Sequence, residues 1–151
     1  MVEASQTSGI TIREASWHKD RAALMRIREE VFIREQHVPP ELEWDAADEN
    51  SFHVLAESAK RDAVGTGRLE SDGKIGRIAI LHNYRAAGIG TAVLQRLVME
   101  ARKRNMENVY LYAQAQALGF YERRGFRAEG EPFLEADIPH RRMRKSLTVE
   151  S

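Results

Sequence analysis

The residues with the clearest chemical potential lie in one short stretch, NYRAAGIGTAVLQRL, at residues 83–97. The apolar run before it predicts a strand that ends near Leu81, and the apolar spacing after it predicts a helix that begins near Gly88. The first turn of a helix has unpaired N–H groups and a partial positive charge, which together favour anions. Gly88 and Gly90 have no Cβ, so a pyrophosphate could lie directly on the backbone, and Arg85 adds a positive charge. The pattern predicts a phosphate-binding turn, with close helix–strand packing as the alternative reason for the glycines.

Two familiar phosphate-binding loops do not fit this stretch. A Walker loop requires a lysine before its Ser or Thr, and no lysine precedes Thr91. A dinucleotide-binding fingerprint requires a third glycine, where this chain has Val93. The spacing alone therefore predicts an anion site and leaves its ligand unnamed.

The composition of the whole chain limits the classes of function. Of 151 residues, 42% are hydrophobic and 30% are charged, and the 23 basic and 23 acidic side chains cancel. This balance argues against nucleic acid and against an anionic membrane as a partner. The absence of cysteine excludes disulfides, thiolate zinc sites and cysteine nucleophiles, and no two histidines have helical metal-ligand spacing, so we expect no metal. With no apolar signal core and no membrane-spanning run, we expect one cytoplasmic domain over residues 1–151.

Hydrophobic periodicity predicts the element order β-α-β-β-β-α-β-α-β-β. The predicted strands are residues 10–15, 51–57, 63–71, 73–80 and 108–113, followed by two more after Gly125. The predicted helices follow a Ser16 cap, start near Gly88 and run over residues 114–124, and a loop with a short helix after Pro40 is expected before the second strand. Because helices separate the strands near residues 88–124, at least one crossover should be parallel. The fold class is therefore α/β, with a mixed sheet and helices on its faces.

Two segments together point to a known family. YRAAGIGTAVLQRL resembles the Arg/Gln-x-x-Gly-x-Gly/Ala signature of the GNAT superfamily of N-acetyltransferases. AQAQALGFYERRGF, residues 113–126, resembles its second signature, a strand–helix segment that ends in Phe-Tyr-x-x-x-Gly-Phe. The resemblance runs from about Ile10 to Leu147. IREEVFIREQHVPPELEWD and DIPHRRM are also similar to the ElaA/YjcF-like bacterial branch.

The resemblance implies a GNAT fold, with a mostly antiparallel, twisted central sheet of about six or seven strands and helices on both faces. It implies acetyl-CoA as cosubstrate and an N-acetyltransferase that moves the acetyl group to a primary amine by direct attack on the thioester. The alternative is a non-catalytic acyl-CoA-binding or sensing module on the same fold. The implied partner is an amine-bearing acceptor, and a homodimer is an open option.

The resemblance also assigns a coenzyme A site. The strand before the first signature should pair with the pantetheine arm through the backbone of Ile78, Ala79 and Ile80. Gln114 stands where the family often has an asparagine, seven positions before Tyr121, and Phe120 belongs to the same implied site. The residues expected to hold the pyrophosphate are Arg85, Ala86, Ala87, Gly88, Ile89, Gly90 and Thr91.

Catalysis requires a proton donor for the leaving thiolate and a base for the amine. Tyr121 matches the tyrosine of the family, and a phenol with a pKa of ~10 is protonated at neutral pH, so it can donate. The alternative for Tyr121 is a packed core aromatic. His53 and Glu70 are the candidate bases, because histidine titrates near neutrality, with a hydrogen-bonded strand histidine as the alternative for His53. His140 is expected either to line the acceptor pocket or to begin the last strand.

The acceptor is left open by conflicting charges. The segment PPELEWDAADEN is rich in carboxylates, which could attract a cationic amine or simply form a solvated acidic loop. Arg28 and Arg68, on the flanking elements, argue instead for an acidic group on the acceptor.

Overall fold

A computed structural model describes residues 9–148 of the chain. Its seven strands in that range are β1 (Thr11–Ala15), β2 (Phe52–Glu57), β3 (Ala63–Leu69), β4 (Ile75–Ile80), β5 (Asn108–Gln114), β6 (Arg127–Glu135) and β7 (Ile138–Ser146). The α-helices are α1 (Arg21–Arg28), α2 (Pro40–Glu43), α3 (Ile89–Lys103) and α4 (Leu118–Glu122). A π-helical segment continues α1 over Glu29–Glu35, and short 3₁₀ turns cover Ala46–Asn50, His82–Tyr84 and Ala115–Ala117.

The strands form two antiparallel sheets that touch at one point. The first sheet has the order β1-β2-β3-β4 and the second the order β5-β7-β6. One parallel bridge, Lys74 to Tyr110, joins them, with the Tyr110 N–H donating to the Gly73 carbonyl at 3.1 Å. Beyond that bridge β4 and β5 diverge. The predicted α/β class, with a mostly antiparallel mixed sheet and one parallel crossover through α3, is confirmed.

A β-bulge in β4 explains the divergence. Thr66 pairs with Ala79 and Arg68 pairs with Gly76, so two residues of β4 face one residue of β3. The first of the two, Arg77, has a φ of +52°. A bulge of this kind bends its strand and interrupts pairing on that strand. The consequence is an open gap between β4 and β5 on the side of their carboxyl ends.

Helices cover both faces of the first sheet, as the resemblance implies. Alternate residues of β2 point to opposite sides: Val54 is buried in the core under α3, and Leu55 is buried in the core under α1. Helix α3 approaches the sheet closely at Gly67, where an added Cβ would lie 2.7 Å from a Val93 methyl carbon and 2.9 Å from a Leu97 methyl carbon. Residue 67 therefore needs to be a glycine for this packing.

Two predicted helix boundaries need correction. Helix α1 begins after Asp20 rather than after Ser16, because Ser16 closes an earlier turn, with its Oγ accepting from the Lys19 N–H at 3.2 Å. The predicted helix over 114–124 is shorter, since Gln114 still belongs to β5 and α4 begins at Leu118. The short helix after Pro40 is confirmed as α2. None of the helices that the structure describes is long and apolar enough to cross a membrane.

Candidate active site

The gap between β4 and β5 opens into a cavity of about 540 Å³. Its walls come from β4, β5, the π-helical segment, the α2 region and the hairpin of β6 and β7. Of the predicted site residues it brings together Ile78, Glu70, Gln114 and Tyr121, and it adds His140. Residues that are distant in sequence thus line one space because β4 and β5 separate.

The predicted phosphate turn lies at the start of α3. Gly88 is the N-cap residue with a φ of +83°, and the first helical hydrogen bond runs from the Ala92 N–H to the Gly88 carbonyl at 3.1 Å. The N–H groups of residues 89–91 precede that bond and have no acceptor within the helix. The side chains of Ala87 and Ile89 are buried in the core, so these two residues can offer only backbone groups to a ligand.

Close packing does not account for the two glycines of this turn. A Cβ added to Gly88 would meet nothing within 4 Å, and one added to Gly90 would lie 3.9 Å from Ile80 Cγ1, an ordinary contact. The positive φ of Gly88 explains the first glycine. Gly90 needs no such conformation, and its effect is to leave the backbone of the first helical turn uncovered.

Arg85 is engaged away from this turn. Its Nη1 and Nη2 donate to the two carboxylate oxygens of Glu35 at 2.8 and 2.6 Å, and its Nε donates to the Ile80 carbonyl at 2.8 Å. The hydrogen bond from Arg85 holds the pKa of Glu35 below its usual range. Arg85 therefore ties the end of β4 to the π-helical segment, and its charge is already balanced by Glu35. Ala86, next to it, has a φ of +64° and shapes the turn.

The cation at the start of α3 is Arg124, which the sequence analysis missed. Its Nε and Nη2 donate to Thr91 Oγ1 at 3.1 and 2.6 Å, and its guanidinium lies 3.8 Å from the centre of the Phe120 ring. No carboxylate of the described residues forms an ion pair with it. The available signal was its position in the second signature, three residues after Tyr121, at the end of α4.

The edge of β4 presents backbone groups to the gap. Ala79 pairs with Thr66 of β3, and the Leu81 N–H donates to the Val64 carbonyl at 2.9 Å. Since backbone groups alternate along a strand, those of Ile78 and Ile80 point away from β3. Of the three positions expected to pair with a pantetheine arm, these two face the open edge, whereas Ala79 is used inside the sheet.

Tyr121 is both a packed aromatic and a residue of the cavity wall. Its ring packs edge-to-face on Phe120 and Phe126, with centroid distances of 5.0 and 5.8 Å, and the residue also lines the cavity. Burial raises the pKa of Tyr121 to about 12, so the phenol is protonated at neutral pH. Gln114 lines the same cavity, and its side-chain amide donates to Gln36 Oε1 at 2.9 Å, which tethers β5 to the π-helical segment.

The candidate bases lie in different environments. His53 is 2% exposed, stacks on Trp17 and donates from Nε2 to the Asp48 carbonyl at 2.8 Å, and it does not line the cavity. Burial lowers the pKa of His53, which keeps it neutral. Glu70 lines the cavity but accepts a hydrogen bond from Arg68 Nη2 at 3.1 Å. His53 is therefore a buried, hydrogen-bonded strand residue, which agrees with the alternative given for it, whereas Glu70 lies on the cavity wall.

The acidic segment is neither a solvated loop nor a free anionic surface. Arg28 is 1% exposed and donates to Glu43 at 2.7 Å and to Asp48 at 2.8 Å. Arg68 is 2% exposed and bonds Asp45 and Asp48, each at 2.9 Å. With Arg77, which pairs with Glu43 and Asp45, three arginines balance these three carboxylates, so Arg28 and Arg68 are not free cations for an acidic acceptor. Buried charges require such partners, which only the folded chain supplies.

Comparison with known proteins identifies the family. The sequence model described as the acetyltransferase (GNAT) domain matches residues 12–147. YjcF of Bacillus subtilis strain 168, described as an uncharacterized N-acetyltransferase, is 38% identical over 123 residues, which cover 79% of this chain and 87% of YjcF. The chain therefore belongs to the GNAT family of N-acetyltransferases, a class of acyltransferase enzymes, as the two signatures indicated.

Solved structures agree with this assignment. An acyl-CoA N-acyltransferase from Pseudomonas aeruginosa superposes with a TM-score of 0.81 at 30% identity, covering 90% of this chain and 99% of that one. ElaA of Escherichia coli superposes with a TM-score of 0.80 at 25% identity, again covering 90% of this chain and 99% of that one. Together with YjcF, ElaA places the protein in the ElaA/YjcF-like branch, and the predicted GNAT fold is confirmed.

Proposed function

We propose that the protein transfers the acetyl group of acetyl-CoA to a primary amine by direct attack of the amine on the thioester. The observation that carries the proposal is a continuous path along β4. Ile78 lines the cavity that holds Tyr121, and Ile80 lies next to Gly90 at the uncovered turn of α3. One extended molecule with a phosphate group at one end and a reactive group at the other fits this path.

In this proposal the pyrophosphate of coenzyme A lies on the N–H groups of residues 89–91. The dipole of α3 and the positive charge of Arg124 supply the attraction. The pantetheine arm pairs with the backbone of Ile78 and Ile80, near Gln114, and the thioester reaches the cavity beside Tyr121. The structurally similar Pseudomonas aeruginosa protein is described as an acyl-CoA N-acyltransferase, which supports an acyl-CoA donor.

The proposed reaction exchanges one bond and removes two protons from the ammonium nitrogen. The first proton passes to a base, the neutral nitrogen attacks the thioester carbon, and the carbon–sulfur electrons leave with sulfur. The second proton leaves the acylated nitrogen to solvent, which gives the neutral amide. The pKa of Tyr121, about 12, lies well above the ~8.5 of an ordinary thiol. The proton therefore stays largely on the phenol, and Tyr121 stabilises the departing thiolate by donating a hydrogen bond to it.

Calorimetry with acetyl-CoA tests the donor site. We expect binding by the wild-type protein, and a roughly 10- to 100-fold weaker affinity in Arg124→Gln, because a charge-assisted hydrogen bond contributes about 1.5–3 kcal/mol. Lys103→Gln, at the opposite end of α3, is the control and should bind like wild type. Failure of the wild-type protein to bind acetyl-CoA at micromolar concentrations would remove the proposal.

Release of free thiol across a panel of amines tests catalysis. The panel should include small aliphatic amines, polyamines, aminoglycosides and lysine peptides, because the cavity offers both acidic and basic groups. Acceptor-dependent thiol release distinguishes an enzyme from an acyl-CoA-binding or sensing module. Binding of acetyl-CoA without thiol release for any amine would favour the module.

A further inference from the structure

His140 occupies a position that the family signatures do not describe. It pairs with Gln114 across β7 and β5, and directly opposed residues of an antiparallel pair share one face of the sheet. It lines the same cavity as Tyr121 and is 6% exposed. A histidine therefore stands beside the residue that we assign to the pantetheine arm.

The hydrogen bonding of His140 determines which ring nitrogen is free. Nδ1 lies 2.6 Å from the Ile138 carbonyl, and a carbonyl can only accept, so Nδ1 carries the hydrogen. Nε2 of the neutral ring then keeps its lone pair. The ring is held by stacking on Phe133, with centroids 5.8 Å apart and planes 22° apart. The orientation of this lone pair is thus set by the β6–β7 hairpin.

Glu135 lies close to Nε2, the ring nitrogen of His140 that keeps its lone pair. Its Oε1 is 3.9 Å from His140 Nε2, and its side chain is half exposed on the same hairpin. A carboxylate at this distance stabilises an imidazolium once Nε2 has taken up a proton. The Ile138 carbonyl on Nδ1 orients the ring, and Glu135 contributes negative charge near Nε2.

We propose that Nε2 of His140 is the general base that removes the proton from the acceptor amine. This inference rests on the proposed function. The ammonium proton passes to Nε2, and the nitrogen lone pair so released forms the bond to the thioester carbon. The electrons of the broken carbon–sulfur bond leave with the thiolate, which accepts a hydrogen bond from Tyr121. The acylated nitrogen loses its second proton to solvent, which gives the amide. The imidazolium, balanced by Glu135, then returns its own proton to solvent.

The other two candidates fit this role less well. The free Nδ1 of His53 is buried under Trp17 and outside the cavity. Glu70 is inside the cavity, but its carboxylate is bonded to Arg68. An ordinary carboxylate is also a weaker base than an imidazole at neutral pH.

The base assignment predicts a loss of activity when Nε2 is protonated. The rate should therefore fall as the pH is lowered. Other ionisable groups line the cavity or lie beside His140, and they also have to be considered when the pH dependence of the rate is interpreted. On the cavity walls and on β7 beside His140 these are Glu43, Asp45, Arg68, Glu70, Lys74, Arg77, Tyr112, Tyr121, Glu135, Arg141 and Arg142.

His140→Asn is the sharpest variant. Its side-chain amide can still donate to the Ile138 carbonyl, but it offers no basic nitrogen. We expect kcat with the best amine of the panel to fall by roughly 10²- to 10⁴-fold, with acetyl-CoA affinity unchanged and the acidic limb of the pH profile lost. His18→Asn, an exposed histidine outside the cavity, is the matched control and should behave like wild type.

Several outcomes would overturn the assignment. One is a His140→Asn variant that binds acetyl-CoA and keeps the wild-type rate and pH profile, which contradicts this inference but not the proposed function. Another is loss of the acidic limb in His53→Gln rather than in His140→Asn. If no amine releases thiol, both the proposed function and this inference fail.

Nitrogen NMR of the imidazole rings gives a test that needs no acceptor. With the signals assigned by their loss in His140→Asn, we expect His140 to carry hydrogen on Nδ1 when neutral. A ring with hydrogen on Nε2 would contradict the proposal.

Discussion

Single side chains around the cavity owe their chemistry to burial and to their hydrogen-bond partners. Tyr121 stays protonated because burial raises the pKa of its phenol to about 12. His53 stays neutral because burial lowers its pKa, but its place under Trp17 keeps it from the cavity. The two arginines near the turn differ in their partners. Glu35 neutralises Arg85, whereas no carboxylate of the described residues forms an ion pair with Arg124. Residue type alone does not separate these cases.

Tyr121→Phe tests the role of the phenol. The ring contacts with Phe120 and Phe126 remain possible, so we expect the fold and the affinity for acetyl-CoA to be retained. Loss of one hydrogen bond to a developing thiolate should reduce kcat by about 10²- to 10³-fold. Steady-state kinetics together with calorimetry measures both quantities. A variant with an unchanged kcat would show that Tyr121 acts only as a packed aromatic.

At the next scale, the ends of two elements create the site. The bulge at Arg77 turns β4 away from β5 and frees its edge, and the positive φ of Gly88 starts α3 with bare N–H groups. The second signature then brings Arg124 to the start of α3 through the short helix α4. The bulge at Arg77 and the left-handed conformation of Gly88 both interrupt regular structure. Each leaves backbone groups unpaired at a place where the proposed ligand would bind them.

Gly90→Ala and Gly88→Ala test the two glycines of the turn separately. Ala at 90 contacts nothing closer than 3.9 Å and favours the helix, so the free energy of unfolding should stay the same or rise by about 0.5–1 kcal/mol. Because the signature that this turn resembles allows either Gly or Ala at this position, acetyl-CoA affinity should be retained. Ala at 88 should lower the free energy of unfolding by about 1–2 kcal/mol because of the positive φ.

Urea unfolding and calorimetry on the same samples test this pair of variants. A loss of stability in Gly90→Ala as large as that in Gly88→Ala would contradict the different backbone roles of the two glycines.

For the molecule as a whole, one buried ion-pair network holds the wall of the cavity in place. It joins α1 through Arg28, the acidic segment through Glu43 and Asp48, β3 through Arg68 and β4 through Arg77. Buried pairs of this kind contribute modestly when complete, but removing one partner leaves a costly unpaired charge. The network therefore couples the position of the acidic segment to the sheet.

Asp48→Asn should lower the free energy of unfolding by about 1.5–3 kcal/mol at neutral pH, because Arg28 and Arg68 lose their charge-assisted hydrogen bonds to Asp48 and keep those to Glu43 and Asp45. Burial opposes ionisation of Asp48, but the two arginines outweigh it and hold its pKa below the usual range. The contribution of the charge is therefore complete above pH ~4 and is lost as the pH falls through the lowered pKa.

Urea unfolding of the wild-type protein and of Asp48→Asn should be measured from pH 7 to pH 3. The difference between their free energies of unfolding should narrow only at the acidic end. Glu49→Gln, an exposed neighbour in the same 3₁₀ turn, serves as the control and should match wild type. A constant difference at every pH would assign the loss to packing rather than to charge.

Much of the architecture was predictable because it depends on local pattern. Apolar alternation and spacing placed all seven strands and the long helix α3, and the glycines with the Phe-Tyr pair pointed to the family. These signals are short in range, since periodicity and backbone conformation are properties of neighbouring residues. The same reasoning missed Arg124, because its contact with Thr91 joins residues 33 apart in sequence.

What the amino-acid sequence determined by itself was the order of elements, the family, and the glycine-containing turn before α3 that predicts an anion site. What only the tertiary structure decided was the partner of each charged or titratable group. Arg85 forms an ion pair with Glu35, whereas Arg28 and Arg68 form ion pairs with the acidic segment. His140, and not His53, lines the cavity. Side-chain pairing depends on distances that exist only after the sheets and helices have packed, whereas strand and helix patterns are set by near neighbours along the chain.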